Sequence, residues 1–252
     1  MPVAITREVS PRFPECELTH LERVPINLEV ARAQHAAYTQ ALESVGCRIT
    51  RLPAEPDFPD SVFVEDTALI LPEVAVITRP GAASRRGETA SIAEALRPYR
   101  ELVTIQAPAT LDGGDVLVLG REIYVGLSTR SGREAIGQLH EKLAQFGYRV
   151  LGVGLHGCLH LKSAVTRIHD DLLLIRSEWL DEQAFENYRL LEVAASEPYA
   201  ANILMIGERG IYPTAFPHTQ ELLERRGVSL VSVDVSELAK AEGAVTCCSL
   251  IL

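Results

Sequence analysis

A short polar step followed by an apolar run recurs five times along this chain. The five copies read Val64-Glu65-Asp66-Thr67-Ala68-Leu69-Ile70, Gly113-Gly114-Asp115-Val116-Leu117-Val118-Leu119, Leu161-Lys162-Ser163-Ala164-Val165, Ala200-Ala201-Asn202-Ile203-Leu204-Met205-Ile206 and Val245-Thr246-Cys247-Cys248-Ser249-Leu250-Ile251. Aligned on positions 66, 115, 163, 202 and 248, they are spaced by 49, 48, 39 and 46 residues. Such spacing marks a repeat architecture, in which one supersecondary unit cannot bury its apolar face alone and must stack on its neighbours.

The second copy gives the order of elements within a unit. Residues 116–119 read as a buried strand, Gly120-Arg121-Glu122 turns the chain, and 123–126 runs back to complete a hairpin. Ser131 and Glu134 have the spacing of a capping box. Ile136, Leu139, Leu143 and Phe146 follow at helical intervals until Gly147, and 149–153 is a further strand. The first copy repeats this order with strands at 68–71, 74–78 and 102–105 and a helix at 89–96. The fourth does so with strands at 203–206, 211–212 and 228–232 and a helix at 220–226. The third copy is the least regular, its helix expected at 181–189. The fifth has one strand after its anchor, and its missing parts stand at the start of the chain: strand 3–7, helix 27–45 ending at Gly46, and strand 47–52. The expected fold is therefore an α/β class, five-bladed pseudo-symmetric propeller of strand-strand-helix-strand units. Pairing the first and last strands closes the ring and removes sheet edges. One domain spans residues 1–252, and the Pro-rich stretch 9–26 is long enough to form an active-site lid. An open three-layer α/β sandwich with coincidental spacing is the alternative.

Composition narrows the function classes. A net charge of −10 argues against a nucleic-acid partner. No apolar run approaches the ~20 residues of a membrane span, and residues 1–7 lack the pattern of a signal peptide. Five cysteines at 16, 47, 158, 247 and 248 include no C-x-x-C pair, so neither a zinc site nor a disulfide framework is indicated. The expectation is a cytoplasmic protein with a small-molecule substrate and no metal or cofactor, for which a homodimer is compatible.

Pseudo-symmetry brings equivalent positions to one axis. Asp112 lies three residues before its anchor, His160 three before its anchor and Cys247 one before its own, so an acid, an imidazole and a thiol distant in sequence share a register. Taken singly, Cys247 reads as a small buried hydrophobe, His160 as a satisfied core histidine and Asp112 as turn chemistry before two glycines. Together, thiol and imidazole suit covalent catalysis at carbon. In Asp60-Ser61-Val62-Phe63-Val64-Glu65-Asp66, strand alternation would send Glu65 and Asp66 to opposite faces, one of them inward. With no base nearby in sequence, the buried acid would await a cationic ligand. Arg85 or Arg86 in the following loop, and Arg130 one unit on, have the chemistry to clamp a carboxylate; arginines that merely meet solvent fit the same positions.

These motifs, with Ile77-Thr78-Arg79-Pro80-Gly81-Ala82, Asp112-Gly113-Gly114-Asp115, Leu159-His160-Leu161-Lys162-Ser163, Tyr199-Ala200-Ala201-Asn202 and Thr246-Cys247-Cys248-Ser249, resemble the dimethylarginine dimethylaminohydrolase family in order along the chain. That family belongs to the guanidine-modifying superfamily, whose fold is a five-bladed α/β propeller. The resemblance implies hydrolysis of Nω-methylated or asymmetrically dimethylated arginine to citrulline and an alkylamine. It makes Cys247 the nucleophile, His160 the proton donor and later the activator of water, and Asp112 the acid beside the imidazole. It assigns Glu65 and Asp66 to the guanidinium, Asp60 to the substrate's polar groups, and Arg85 and Arg130 to its carboxylate. The backbone carbonyls of Leu18 and Ala241 are implied to receive its α-amine. A deiminase of free arginine or agmatine, or a citrulline hydrolase, would share the nucleophile; a binding propeller without catalysis would not need it.

Overall fold

The computed structural model describes residues 1–252. Its strands form five separate three-stranded sheets, each built to the same plan. Ala68–Ile70 pairs antiparallel with Val74–Ile77, which pairs parallel with Glu101–Thr104 after the crossover helix Thr89–Leu96. Val116–Leu119, Glu122–Leu127 and Arg149–Gly154 repeat the pattern around helix Arg133–Leu143. Leu204–Ile206, Arg209–Pro213 and Ser229–Val233 do so around Pro217–Arg225. In the last sheet, Leu250–Ile251 pairs antiparallel with Val3–Arg7, which pairs parallel with Arg48–Leu52 around helix Leu28–Ser44. The five units make a pseudo-symmetric α/β propeller whose ring is closed by the first and last strands.

The middle strand of each sheet is flanked on both edges and covered on both faces. It therefore reads as an unbroken apolar run, as in Val74–Ile77 and Leu172–Ile175, every residue of which is buried. Outer strands such as Glu101–Thr104 are partly exposed. The core falls into five clusters, one at each junction between neighbouring blades. The largest packs the buried face of Leu28–Ser44 (Ala31, Tyr38, Ala41, Leu42) against Ile206, Ile211 and Val233 of the preceding blade. The smallest joins Ile5 and Leu250 to Ala68, Ala75 and Ile77 and so seals the ring.

Polar latches repeat around the axis. Asp66 Oδ1 accepts from Gly114 N at 3.0 Å, Asp115 Oδ1 from Leu161 N at 3.0 Å, and Asn202 Oδ1 from Thr246 N at 3.1 Å. Three of the five anchor side chains thus hold the backbone of the next blade, and Glu65 N donates to Cys247 O at 3.0 Å across the junction between the last and first units.

Four sequence expectations need correction. The polar steps are single helical turns (Val64–Thr67, Gly113–Asp115, Leu161–Ala164) rather than strand ends, so strand alternation does not apply to them. The helix expected at 181–189 is replaced by the 3-10 turns Ser177–Trp179 and Glu182–Phe185 before strand Arg189–Glu192. Of residues 181–189 only Ala184, Phe185 and Tyr188 reach an apolar cluster, too little to hold a longer helix. The capping box at Ser131 is absent: Gly132 is the N-cap, while Ser131 Oγ accepts from Asp112 N at 3.0 Å. By contrast, Asn27 does cap its helix, accepting from the backbone of Glu29 and Val30. The fourth correction concerns the charge partners of Glu65 and Asp66, which belong to the site.

Candidate active site

Five loops and turns from different blades meet at one end of the axis. They line a cleft with Asp60, Asp66, Arg85, Arg130, His160, Ala241 and Cys247 on its walls. Asp112 is fully buried behind His160, and Glu65 lies beside the cleft under Thr246. Leu18 packs from the irregular segment after Arg7 onto the same cluster as Cys247.

His160 sits between carboxylates. Its Nε2 is 3.1 Å from Asp112 Oδ2 and its Nδ1 is 3.8 Å from Asp66 Oδ1. Asp112 is oriented in turn by Gly81 N at 2.8 Å. Burial alone would lower the imidazole's pKa, but Asp66, Asp115 and Asp112 together raise it to about 9. Asp66 is held below the usual carboxylate range: burial opposes ionisation, but His160, Arg85 and the Gly114 N–H outweigh it. Cys247 is partly exposed at the cleft, its Sγ accepting from Ala244 N at 3.4 Å. Burial, then the charges of Glu65 and Asp66, push its thiol well up, against smaller opposing effects of the Ala244 N–H and Lys162. Cys248 faces the other way into the apolar core, and all five cysteines are free thiols.

The carboxylates expected to await a cationic ligand already have cationic partners from elsewhere in the chain. Lys162 Nζ is 2.6 Å from Glu65 Oε1 and 3.2 Å from Gly113 O. Arg85 Nη1 is 2.5 Å from Asp66 Oδ2, and its remaining N–H groups serve Glu88 and the carbonyls of Asp60 and Phe63. Both bases are remote in sequence or on another turn, which is why neighbouring residues gave no sign of them. Arg130 differs: it is 9% exposed, forms no ion pair, and donates from Nη2 only to Thr19 Oγ1 at 2.9 Å.

Several residues of the site carried no sequence assignment. Lys162, Thr246 and Asn202 form one network with Glu65: Thr246 Oγ1 donates to Glu65 Oε2 at 2.8 Å, and Asn202 Nδ2 donates to Thr246 Oγ1 at 3.0 Å. All three lie within the repeat motifs, so their register was the available signal. Glu88 and Glu242 lie outside any motif. Asp66, Asp112 and His160 place their ligand atoms within 4.8 Å of one another, a spacing open to a cation, though each is already paired inside the protein. No helix is long and apolar enough to cross a membrane.

With this geometry, the chain matches the family model "N,N dimethylarginine dimethylhydrolase, eukaryotic" over residues 19–251. It belongs to that family. Among dimethylarginine dimethylaminohydrolases, the Pseudomonas aeruginosa protein is 39% identical over 87% of each chain. The Streptomyces coelicolor protein is 40% identical over 98% of this chain and 95% of its own. A solved structure of the Pseudomonas aeruginosa enzyme, a cysteine-to-serine mutant complexed with citrulline, superposes with a TM-score of 0.95 at 35% identity, covering 99% of this chain and 98% of the other. The N-terminal domain of a cyanobacterial arginine dihydrolase shares the fold, with a TM-score of 0.89 at 17% identity and coverage of 99% and 97%.

Proposed function

We propose that the protein hydrolyses Nω-methylated or asymmetrically dimethylated L-arginine to L-citrulline and methylamine or dimethylamine. The Cys247 thiolate attacks the guanidinium carbon. His160, protonated at neutral pH, gives its proton to the departing amine, leaving a thiouronium ester on the sulfur. The neutral imidazole then takes a proton from water, which attacks the same carbon and expels the thiolate with citrulline. Asp112 fixes the imidazole and favours its charged form. Asp66 and Glu65 hold the guanidinium, and Asp60 engages the substrate's polar groups.

Arg130 and Arg85 take the substrate carboxylate. Arg85 is already shared between Asp66 and Glu88, so Arg130, buried without an acidic partner, supplies most of the attraction. The carbonyls of Leu18 and Ala241 receive the α-ammonium, with residues 9–26 acting as a lid. The chemistry asks for no metal or cofactor.

The observation that carries this reading is the meeting of Cys247, His160 and Asp66 with an unpaired buried arginine in one cleft. Product analysis tests it. Asymmetric dimethylarginine, monomethylarginine, arginine, agmatine and citrulline are offered separately, and citrulline, ammonia and alkylamine are quantified. Citrulline with dimethylamine, lost in Cys247→Ser, supports the proposal. Turnover of arginine, agmatine or citrulline alone moves the substrate and keeps the nucleophile. No turnover by the folded, reduced protein removes the enzymatic reading.

A further inference from the structure

We infer that Glu242 is a positioning residue: it latches the tip of the lid and thereby sets the distance between the two carbonyls that receive the substrate ammonium. The inference rests on the functional reading above. Glu242 is the one non-glycine residue with a left-handed backbone, at φ +59. Such a conformation is unfavourable for a side chain-bearing residue and persists where surrounding contacts enforce it. Here those contacts are three consecutive backbone donors. The carboxylate accepts from Thr19 N at 2.8 Å, His20 N at 2.6 Å and Leu21 N at 2.9 Å, an anion cradled in successive N–H groups.

Little else holds this tip. Thr19, His20 and Leu21 are all exposed. Ties to its flanks are the Glu17 N–H to Asp60, Ser84 Oγ to the Glu17 carboxylate, Arg23 to the carbonyls of Pro14 and Cys16, and the packing of Leu18, while Arg130 reaches Thr19 Oγ1. Thr19 follows Leu18 and Glu242 follows Ala241, so the bond between them fixes how far apart the Leu18 and Ala241 carbonyls stand. No protein donor reaches either carbonyl oxygen, although Ala241 is buried; a buried acceptor of this kind needs a polar partner. Glu242 also lines both the catalytic cleft and the larger, mostly apolar cavity beside it. Losing the latch would merge the two spaces as well as free the lid.

Glu242→Gly tests the latch cleanly, because glycine accepts the left-handed backbone while removing the carboxylate. Glu242→Gln is a second, size-conserving variant. Amide exchange is measured on the unliganded proteins, and steady-state kinetics compare dimethylarginine with its analogue lacking the α-amine. In Glu242→Gly, exchange over residues 17–23 should accelerate by about tenfold or more with the blades unchanged, and Glu242→Gln should fall between. KM for dimethylarginine should rise about tenfold with kcat held within about threefold, since a smaller fraction of molecules then holds the Leu18 and Ala241 carbonyls at the spacing that receives the ammonium. The analogue without an amine should show no such penalty. Unchanged lid exchange in both variants, or an equal penalty for both substrates, overturns the inference. If the wild-type protein turns over no methylated arginine, the functional reading fails while the exchange measurement still decides the latch.

Discussion

Cys247 and His160 are both pushed up in pKa, the thiol by burial and then by Glu65 and Asp66, the imidazole by Asp66, Asp115 and Asp112 against its burial. Asp66 stabilises the imidazolium and disfavours the thiolate, so at neutral pH the unliganded pair is thiol and imidazolium. A guanidinium docked on Asp66 changes that balance by placing a cation beside the sulfur. Binding of an unreactive cationic analogue should therefore lower the Cys247 pKa, read as thiolate absorbance in an ultraviolet titration; an unmoved titration curve would sink the idea. The pH dependence follows with its sign. The attacking species grows as pH rises, while the proton donor is lost as His160 titrates near 9. Thus kcat/KM should climb through neutrality and turn down above about pH 9. A descending limb centred at pH 7 or below would contradict the assignment of His160. Of these residues the sequence disclosed types and register. It gave no access to the ion pairs of Glu65 and Asp66, because Lys162 lies 97 residues from Glu65 and reaches it through another blade.

The candidate catalytic groups are held by short turns where backbone and side chains pack closely. A Cβ on Gly114 would stand 2.6 Å from His160 Nδ1 and 2.8 Å from Asp66 Oδ1. Gly114→Ala should therefore displace both side chains and lower kcat/KM by about 10²-fold, while shifting Tm by less than about 3 °C; normal kinetics would show that the site can yield. The Lys162–Glu65 pair is a second such element, with side chains 18% and 10% exposed. Removing one partner leaves a largely buried charge alone, so Lys162→Met should cost about 2–3 kcal/mol, discounted from the fully buried case for residual solvent. Chemical denaturation measures this, and Lys162→Met with Glu65→Gln should recover most of the loss. At this scale the hairpins and most crossover helices followed from periodicity and glycine punctuation. The stretch 181–189 did not, because weak amphipathic spacing left the choice between helix and 3-10 turns to its neighbours. Ser131 was misread for a related reason: its hydroxyl had two competing backbone partners, and the buried Asp112 N–H took it.

Ring closure is a property of the whole chain. Leu250–Ile251 supplies the inner strand of the blade begun by Val3–Arg7, and Leu250 joins the cluster that seals the circle. Deleting residues 250–252 should open that junction, expose the edge of Val3–Arg7 and lower Tm by about 6 °C or more. It should also lower activity, since Cys247 lies only three residues upstream. An unchanged Tm would mean that the remaining four junctions suffice. The sequence by itself determined the number of blades, their internal order and the register that brings Cys247, His160 and Asp112 to one axis. Repeat spacing and strand or helix periodicity are local, one-dimensional signals of burial. Tertiary structure alone decided which charges neutralise one another, which arginine stays unpaired and how Glu242 comes to hold the backbone of Thr19, His20 and Leu21. Those outcomes depend on distances across blade boundaries, and at such boundaries the burial of each charged group makes its partner's position, rather than its own identity, set its role.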